Sequence, residues 1–270
     1  MPSTATSPDL RDAPLRARPL VPCLLALYAA VWAWAAVGPP DRAEWWLEQL
    51  LPAGWLLFLA LGWRARLVRL SDASCAALAV FLALHAAGAR YGYEAAPAGA
   101  WLADRLGTGA GAFGGAFGGP RRNPYDRVVH AAFGLCLGYV ARELWLRFGG
   151  FGRRARLWAS AHAAAAVLAA SAAYEVLEWG AARALAPGVG SAFVGTQGDV
   201  WDAPADMAMA ALGALVGLAG AEALHRVRAR RRARRARRMR GAALPAGSGV
   251  YQSVVATRRH AARIRNPATG

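Results

Sequence analysis

The sequence predicts an all-α fold: a polytopic transmembrane helical bundle of about six spans with both termini in the cytoplasm. Three observations lead to this prediction. Of the 270 residues, 56% are hydrophobic. The eleven Trp residues lie mostly near the ends of apolar runs, as interfacial anchors do. Arginines gather before the first run, between alternate runs and after the last, which is the pattern of loops retained in the cytoplasm.

Six apolar runs are long enough, or nearly so, to cross a hydrocarbon core of about 30 Å. They cover residues 20–38, 45–63, 73–89, 127–146, 157–180 and 203–224. Glu48 and Pro52 interrupt the second run and the third run is short, so five spans or a re-entrant segment is an alternative. The first run is long for a cleaved signal peptide, and we expect it to be retained as a span.

The charge distribution divides the chain into three parts. Residues 1–19 form a cytoplasmic N-terminal segment, residues 20–224 the bundle with a Gly-rich extracytoplasmic loop at 90–125, and residues 225–270 an Arg-rich, disordered cytoplasmic tail. Ten arginines lie within 226–240, so the net charge of +16 belongs mainly to this tail. We expect the tail to bind anionic lipid head groups, at about 1 kcal/mol per charge, and not nucleic acid.

Several familiar chemistries are excluded by composition and context. The chain contains no Lys, which rules out a Walker A lysine and Schiff-base catalysis. The run at 107–119 contains the spacing of a dinucleotide-binding motif, but it follows no strand and is better interpreted as a linker. Cys23, Cys75 and Cys136 are single and widely spaced, so no disulfide or zinc-finger framework is expected.

Two pairs of glycines lie within apolar runs at a spacing of four residues. They are Gly134 with Gly138 and Gly213 with Gly217. Small residues at this spacing allow helices to approach closely. We interpret both pairs as packing positions within one bundle.

Three stretches place charged and imidazole side chains in or beside apolar runs. They cover residues 123–130, 174–179 and 195–207. A charge at the bilayer centre costs roughly 2.5–3.5 kcal/mol, so such residues persist where they face protein, water or a ligand. These stretches are therefore the strongest indication of a functional site.

The predicted topology assigns the polar side chains of these stretches to one depth. Eight ionisable residues fall in the outer half of the membrane: His85, Asp126, His130, Glu175, Glu178, Asp199, Asp202 and Asp206. Spacings of three or four residues within each stretch allow its polar side chains to share one helical face. The sequence therefore predicts a single polar site near the extracytoplasmic ends of four spans.

Imidazole and carboxylate groups together suit a divalent ion such as zinc or manganese. The candidate metal ligands are His85, Asp126, His130, Glu175, Glu178, Asp202 and Asp206. Glu178 is also the candidate general base, while Arg122 and Arg127 are candidate contacts to a substrate phosphate. Asn123, Gln197 and Asp199 complete the predicted polar cluster.

The motifs resemble those of the YjdF-like family of bacterial inner-membrane proteins. They are His85-x-x-Gly-x-x-Tyr91-x-Tyr93, Arg122-Asn-x-Tyr-Asp-Arg-x-x-His130, Arg142-Glu143, Tyr174-Glu-x-x-Glu-Trp179 and Gly195-Thr-Gln-Gly-Asp-x-Trp-Asp-x-x-x-Asp-Met207. The resemblance covers residues 20–224 and implies a multi-span inner-membrane protein, with no activity attached. A fainter similarity to VanZ-like membrane proteins points to the cell envelope.

Three functions remain open at this point. The leading hypothesis is an inner-membrane protein with a metal-dependent site acting on a lipid or envelope substrate. The first alternative is a transporter or ion pathway, although no inverted repeat relates the two halves of the chain. The second is a non-enzymatic scaffold in which Arg90, Arg121, Arg122 and Arg127 neutralise the carboxylates and fix helix packing.

Overall fold

A computed structural model describes residues 18–65, 67–106, 122–185 and 196–242, and every regular element in these ranges is helical. The α-helices are α1 Leu20–Ala35, α2 Arg42–Arg64, α3 Asp72–Arg90, α4 Pro97–Leu106, α5 Tyr125–Phe148, α6 Ala155–Leu185 and α7 Asp202–Ala242. Short 3₁₀ turns at Gly152–Arg154 and Thr196–Gly198 precede α6 and α7. The prediction of an all-α fold is confirmed.

Three helical stretches are long and apolar enough to cross a membrane, judged by length and composition. They are Asp72–Arg90, Gly152–Ala181 and Asp202–Ala236. Helix α1 is apolar but shorter, with 16 residues. Helices α2 and α5 have 23 and 24 residues and carry charged side chains within the helix. Each of the six predicted runs thus lies largely within one helix, and three of the helices have the length and composition of a span.

Helices α5 and α7 pack at very short distance through the two glycine pairs. A Cβ atom added at Gly134 would overlap the backbone of Ala210, and one at Gly213 would overlap the backbone of Ala131. Ala210 is also fully buried, in a cluster that includes Val167 of α6. The glycines are therefore packing positions within one bundle, as their spacing indicates.

At the end of the bundle away from the predicted site, hydrogen bonds link the start of α3 to α5. The Ser71 side chain accepts a hydrogen bond from the Ser74 backbone N–H at the start of α3. Glu143 of α5 accepts from the Ser71 backbone N–H at 2.8 Å and from the Ser74 hydroxyl at 2.5 Å. These bonds satisfy donors that a helix N-terminus leaves free, and they fix α3 against α5.

Two predicted segment boundaries differ from the structure. The predicted loop 90–125 contains α4, while its Gly-rich part lies outside the described residues. The tail was expected to be disordered from residue 225, yet α7 continues to Ala242, because arginine and alanine are both good helix formers. Residues 222–242 belong to a unit distinct from the bundle, and residues 1–17 and 243–270 lie outside the described part of the chain.

Candidate functional site

The predicted polar residues meet at one end of the bundle, which we call the polar end. It is formed by the start of α2, the end of α3, the start of α5, the later turns of α6 and the start of α7. Neighbouring helices run in opposite directions there, so residues distant in sequence reach the same level. Two features occupy this end, an arginine–aspartate network and a cavity.

The arginine–aspartate network is centred on Arg127, whose side chain is fully buried. Its guanidinium lies 3.0 Å from Asp199 Oδ2 and 2.8 Å from Asp202 Oδ1, and it also pairs with Asp206 Oδ2. Its Nη1 atom donates to the Asp202 backbone carbonyl at 3.1 Å. Arg127 therefore fixes the first turn of α7 against the first turn of α5.

Arg122 occupies the neighbouring position in the same network. Its buried guanidinium lies 3.1 Å from Asp126 Oδ2 and 3.4 Å from Asp199 Oδ2, and it pairs with Asp202 Oδ1. The network thus sets two guanidinium groups against four carboxylates. If all four aspartates are ionised, it carries an excess of negative charge that protons or a cation must balance.

A group of potential metal ligands lies beside this network. One oxygen each of Asp126 and Asp206 and one ring nitrogen of His130 lie within 4.8 Å of one another. The His130 Nε2 atom is 3.6 Å from Asp126 Oδ1 and 3.8 Å from Glu175 Oε1, beyond normal hydrogen-bond length. Two buried oxygens, Asp206 Oδ1 and Glu175 Oε1, have no hydrogen-bond partner.

These separations are close to those of a first coordination shell. Two ligands bound at about 2.1 Å to a tetrahedral zinc ion lie about 3.4 Å apart, and opposite ligands of an octahedral ion lie about 4.2 Å apart. The His130 distances of 3.6 and 3.8 Å fall within this range. The 4.8 Å limit of the three-residue group exceeds it slightly. Shortening that separation by roughly 0.6 Å would bring it to the distance of opposite octahedral ligands, and shortening it by roughly 1.4 Å would bring it to the tetrahedral distance.

His85 has a different environment from His130. Its Nε2 atom lies 2.9 Å from the backbone carbonyl oxygen of Glu48, and its Nδ1 atom lies 2.7 Å from the Tyr93 hydroxyl. Pro52 lies inside α2 and has no N–H to give to the carbonyl four residues earlier, which is that of Glu48. The imidazole therefore takes the place of a missing helix hydrogen bond, and both of its nitrogens are engaged.

The Glu48 carbonyl sets the tautomer of His85. A carbonyl oxygen only accepts, so Nε2 carries the proton and donates it to Glu48, and Nδ1 of the neutral ring accepts from the Tyr93 hydroxyl. Complete burial, followed by the negative charges of Glu48, Asp126 and Glu178, raises the pKa of Tyr93 well above its usual value of 10, so the hydroxyl keeps the proton that it donates. Tyr93 also has a positive φ of 55°, an uncommon backbone conformation for a bulky residue and one often found at functional sites.

A cavity of about 340 Å³ opens beside this group, between α2, α3, α5 and α6. Its polar lining residues share the polar end of the bundle: Glu44, Glu48, His85, Tyr93, Asp126, His130, Tyr174 and Glu178. The remaining lining is almost entirely aliphatic and aromatic. Arg122 and Arg127, which were predicted to contact a substrate phosphate, do not line the cavity.

Asn123 and Gln197 join the connecting segments that cover the polar end. The Asn123 backbone N–H donates to Gln197 Oε1 at 2.7 Å, and Gln197 Nε2 donates to the Asn123 carbonyl at 3.2 Å. The Asn123 side chain also donates to the Ala96 carbonyl at 2.9 Å and accepts from the Tyr125 backbone N–H at 3.0 Å. These two predicted cluster residues therefore hold loops together and lie outside the cavity.

The structure separates the other predicted residues by position. Glu175 lies beside His130, whereas Glu178 lines the cavity and interacts with Tyr174. Arg90 donates to the Trp34 carbonyl at 2.5 Å and lies over the Trp34 ring, away from the network. Arg121 lies outside the described residues.

Three residues of the site were missed by the sequence reasoning. Glu48 was treated only as an interruption of the second apolar run, but its carboxylate lies 3.7 Å from His85 Nε2 and 3.3 Å from the Tyr174 hydroxyl. Tyr93 and Tyr174 were noted within motifs and given no role. The spacing of Glu48 and Pro52 contained the missing signal, because a proline frees the carbonyl four residues before it.

Comparison with known proteins gives two matches. A family model described as "Predicted membrane protein (DUF2238)" matches residues 20–227. The inner membrane protein YjdF of Escherichia coli (strain K12) is 38% identical over 126 residues, which cover 47% of this chain and 53% of that protein. The match thus spans about half the length of the curated relative. No solved structure matches the chain.

Proposed function

The chain belongs to the DUF2238 family of predicted membrane proteins, in agreement with its YjdF-like motifs, and we propose that it is an inner-membrane enzyme with a divalent-metal centre. Asp126, His130 and Asp206 hold the metal, and Glu175 supplies a further ligand beside them. The inner-membrane location is proposed by extension from the E. coli relative, which carries that description.

One observation carries this proposal. Asp206 is 2% exposed, and its Oδ1 atom has no hydrogen-bond partner although Oδ2 is paired with Arg127. A buried carboxylate oxygen without a partner is costly, and a metal ion bound at that oxygen removes the cost. The unpartnered Glu175 Oε1, 3.8 Å from His130, supports the same arrangement.

The remaining residues have supporting roles in this proposal. A bound zinc or manganese ion would supply Lewis acidity and activate a water molecule. Glu178, which lines the cavity, serves as the general base for that water. Arg122 and Arg127 orient the aspartates from behind, a role that suits their burial better than contact with a substrate phosphate. The substrate is a lipid or envelope component that reaches the cavity.

The proposed topology has six spans, formed by α1, α2, α3, α5, α6 and α7, with both termini in the cytoplasm. In this orientation the polar end faces the extracytoplasmic side. Helices α2 and α5 are spans despite their charges, because Glu48 faces the cavity and Arg127 is paired within the bundle. The Arg-rich end of the chain then lies beside the cytoplasmic leaflet and binds anionic lipid head groups.

The test of the metal centre is metal content per chain. The full-length protein is purified in detergent, exposed to zinc or manganese, dialysed and analysed by mass spectrometry for both elements. We expect about one ion per chain in the wild type and a loss of affinity of about tenfold or more in His130→Ala. The matched control is His162→Ala, because His162 is exposed on α6 and its Nδ1 atom donates to the Trp158 carbonyl oxygen, 2.8 Å away.

Two results would contradict the proposal. One is the absence of stoichiometric zinc and manganese from all three proteins. The other is equal metal content in His130→Ala and the wild type, which would move any metal to a different site.

A second candidate function is a scaffold whose arginine–aspartate network fixes helix packing. The complete burial of Arg127 and its contacts to three aspartates favour this possibility. In a scaffold, neutralising any of these aspartates would mainly destabilise the fold. The distinction from the metal centre is tested with Asp206 below.

A further inference from the structure

The lining of the cavity changes from polar to apolar along its length. Its polar end carries carboxylates and imidazoles from four helices, among them Glu48, His85, His130 and Glu178. From that end inward its walls are apolar on α2, α3 and α5, and on α6 they are apolar apart from Ser171. A small polar substrate would leave most of this surface uncovered, whereas an amphiphile would match both parts.

The apolar part extends well away from the polar end. On α2 the lining runs from Glu44 to Leu59, a rise of about 22 Å at 1.5 Å per residue. The lining on α5 runs from Asp126 to Leu137, and that on α3 runs from His85 back to Leu78. The lining is therefore elongated along the helices, an arrangement that suits an extended hydrocarbon chain.

The lining of the cavity includes residues of α2 and α6 that are exposed on the surface of the bundle. Trp55 of α2 and Leu177 of α6 both line the cavity, and their exposed fractions are 44% and 61%. Large exposed apolar residues at such positions suit contact with bilayer lipid. A chain could thus enter sideways from the membrane, with its head group staying at the polar end.

The charge of the lining selects among head groups. Glu44, Glu48, Asp126 and Glu178 line the cavity, and among the described residues no arginine does. An amine head group can donate hydrogen bonds to these carboxyl oxygens, whereas a phosphate head group meets no positively charged donor in this lining unless a divalent ion lies between.

We propose that the cavity binds a single-chain or single-tail amphiphile, with its hydrocarbon chain between α2, α3 and α5 and an amine head group at the carboxylates of the polar end. The proposal deepens the proposed function by naming the substrate class of the same site. It rests on the metal centre for one point only, the binding of phosphate-headed analogues, which requires the ion.

The test uses the full chain in phosphatidylcholine nanodiscs and a dodecylamine probe with a diazirine near the chain end remote from the amine. After illumination, labelled residues are located by peptide mass spectrometry. We expect labelling at Leu59, Leu78 and Leu137, which line the apolar part farthest from the polar end. Leu56→Trp, which enlarges a lining side chain, should reduce this labelling by about tenfold because it fills the space for the chain.

The matched control is Leu57→Trp, on the adjacent residue of α2. Leu57 is 59% exposed and does not line the cavity, so the same enlargement should leave labelling unchanged. Labelling spread over lipid-facing residues and equal in both variants would overturn the proposal.

Competition by unlabelled amphiphiles tests which head group the polar end accepts. Unlabelled dodecylamine should compete with the probe in the presence of a chelator, and dodecyl phosphate should compete only when zinc or manganese is added. If the metal centre does not exist, the amine still competes and the phosphate never does, which supports the amphiphile site and removes the metal. Competition by dodecyl phosphate that is equal with and without a chelator would contradict the proposed charge selection.

Discussion

At the scale of single residues, the site is defined by how two guanidinium groups share four carboxylates. Asp206 differs from the other three aspartates because one of its oxygens pairs with Arg127 while the other is buried without a partner. Asp199, by contrast, contacts both Arg122 and Arg127 and is absent from the potential ligand group. Substitutions of these two aspartates can therefore distinguish a metal site from a purely structural network.

Replacing Asp206 by asparagine distinguishes the two functions. If Asp206 is a metal ligand, Asp206→Asn should weaken zinc or manganese binding by about tenfold or more. The metal-free protein should keep most of its stability, because Arg127 retains Asp199 and Asp202 as partners. Metal titration and thermal unfolding of chelator-treated protein measure the two effects separately.

Asp199→Asn is the control for that experiment. Like Asp206→Asn it removes one carboxylate charge from Arg127, and it also removes that charge from Arg122. It should leave metal affinity unchanged, because Asp199 is absent from the potential ligand group. A large loss of stability in Asp206→Asn, about 3–5 kcal/mol, with no metal bound by either variant or by the wild type, would instead favour the scaffold.

At the scale of helices, α2 and α3 are linked by a hydrogen bond that α2 cannot make within itself. Pro52 leaves the Glu48 carbonyl without its helix donor, and the His85 ring supplies one from α3. The proline that weakens α2 as an isolated helix thereby creates its specific attachment to α3.

A double-mutant cycle tests this attachment. We expect His85→Ala to destabilise the protein by about 1–3 kcal/mol, because it leaves a carbonyl without a donor. In a Pro52→Ala background the new backbone N–H can bond the Glu48 carbonyl, so the same His85→Ala change should cost less. Unfolding in denaturant would measure a coupling of about 0.5–3 kcal/mol, and strictly additive costs would contradict the link.

The contact of α5 with α7 gives a second prediction for the helices. Gly134→Ala should lower the unfolding temperature, because its Cβ would overlap the backbone of Ala210. Gly220→Ala, on the partner helix α7, has no atom within 4 Å of the added Cβ and should be neutral or stabilising by up to about 1 kcal/mol. Thermal unfolding of the two variants checks this difference, and equal effects would contradict it.

The sequence predicted the helices better than the details of the site. The apolar runs predicted six helices, because a helix buried in lipid or protein needs a length and a composition that can be recognised in the sequence. Helix α4 and the extension of α7 were missed, since neither is an apolar run. In the site, the meeting of Asp126, His130 and Asp206 followed from topology, whereas the contact of His85 with Glu48 depended on a backbone carbonyl that no side-chain pattern reveals.

At the scale of the whole molecule, the arginine pattern predicts which side of the membrane the polar end faces. If the arginine-rich loops are cytoplasmic, the ends of α3 and α6 and the starts of α5 and α7 are extracytoplasmic, as is the mouth of the cavity. The orientation therefore decides from which side a head group is accessible.

Reporter fusions test that orientation. We expect a green fluorescent protein fused after residue 270 to fluoresce and alkaline phosphatase at the same place to be inactive, because the proposed topology places the C-terminus in the cytoplasm. Alkaline phosphatase inserted within residues 107–119 should be active, because the same topology places that segment outside the cytoplasm. The reverse pattern would place the polar end in the cytoplasm. Alkaline phosphatase activity at both positions would contradict an odd number of spans, three in the proposed topology, between the two positions.

The partnership of Arg127 with the start of α7 has a consequence for biosynthesis. Translation completes α5 before α7 exists, so in the proposed six-span topology Arg127 enters the bilayer without Asp199, Asp202 or Asp206. An ionisable side chain with no partner disfavours the release of a segment into lipid. Helix α5 should therefore remain beside the insertion machinery until α7 emerges, and a nascent chain that stops after α6 should be recognised as unfinished and degraded.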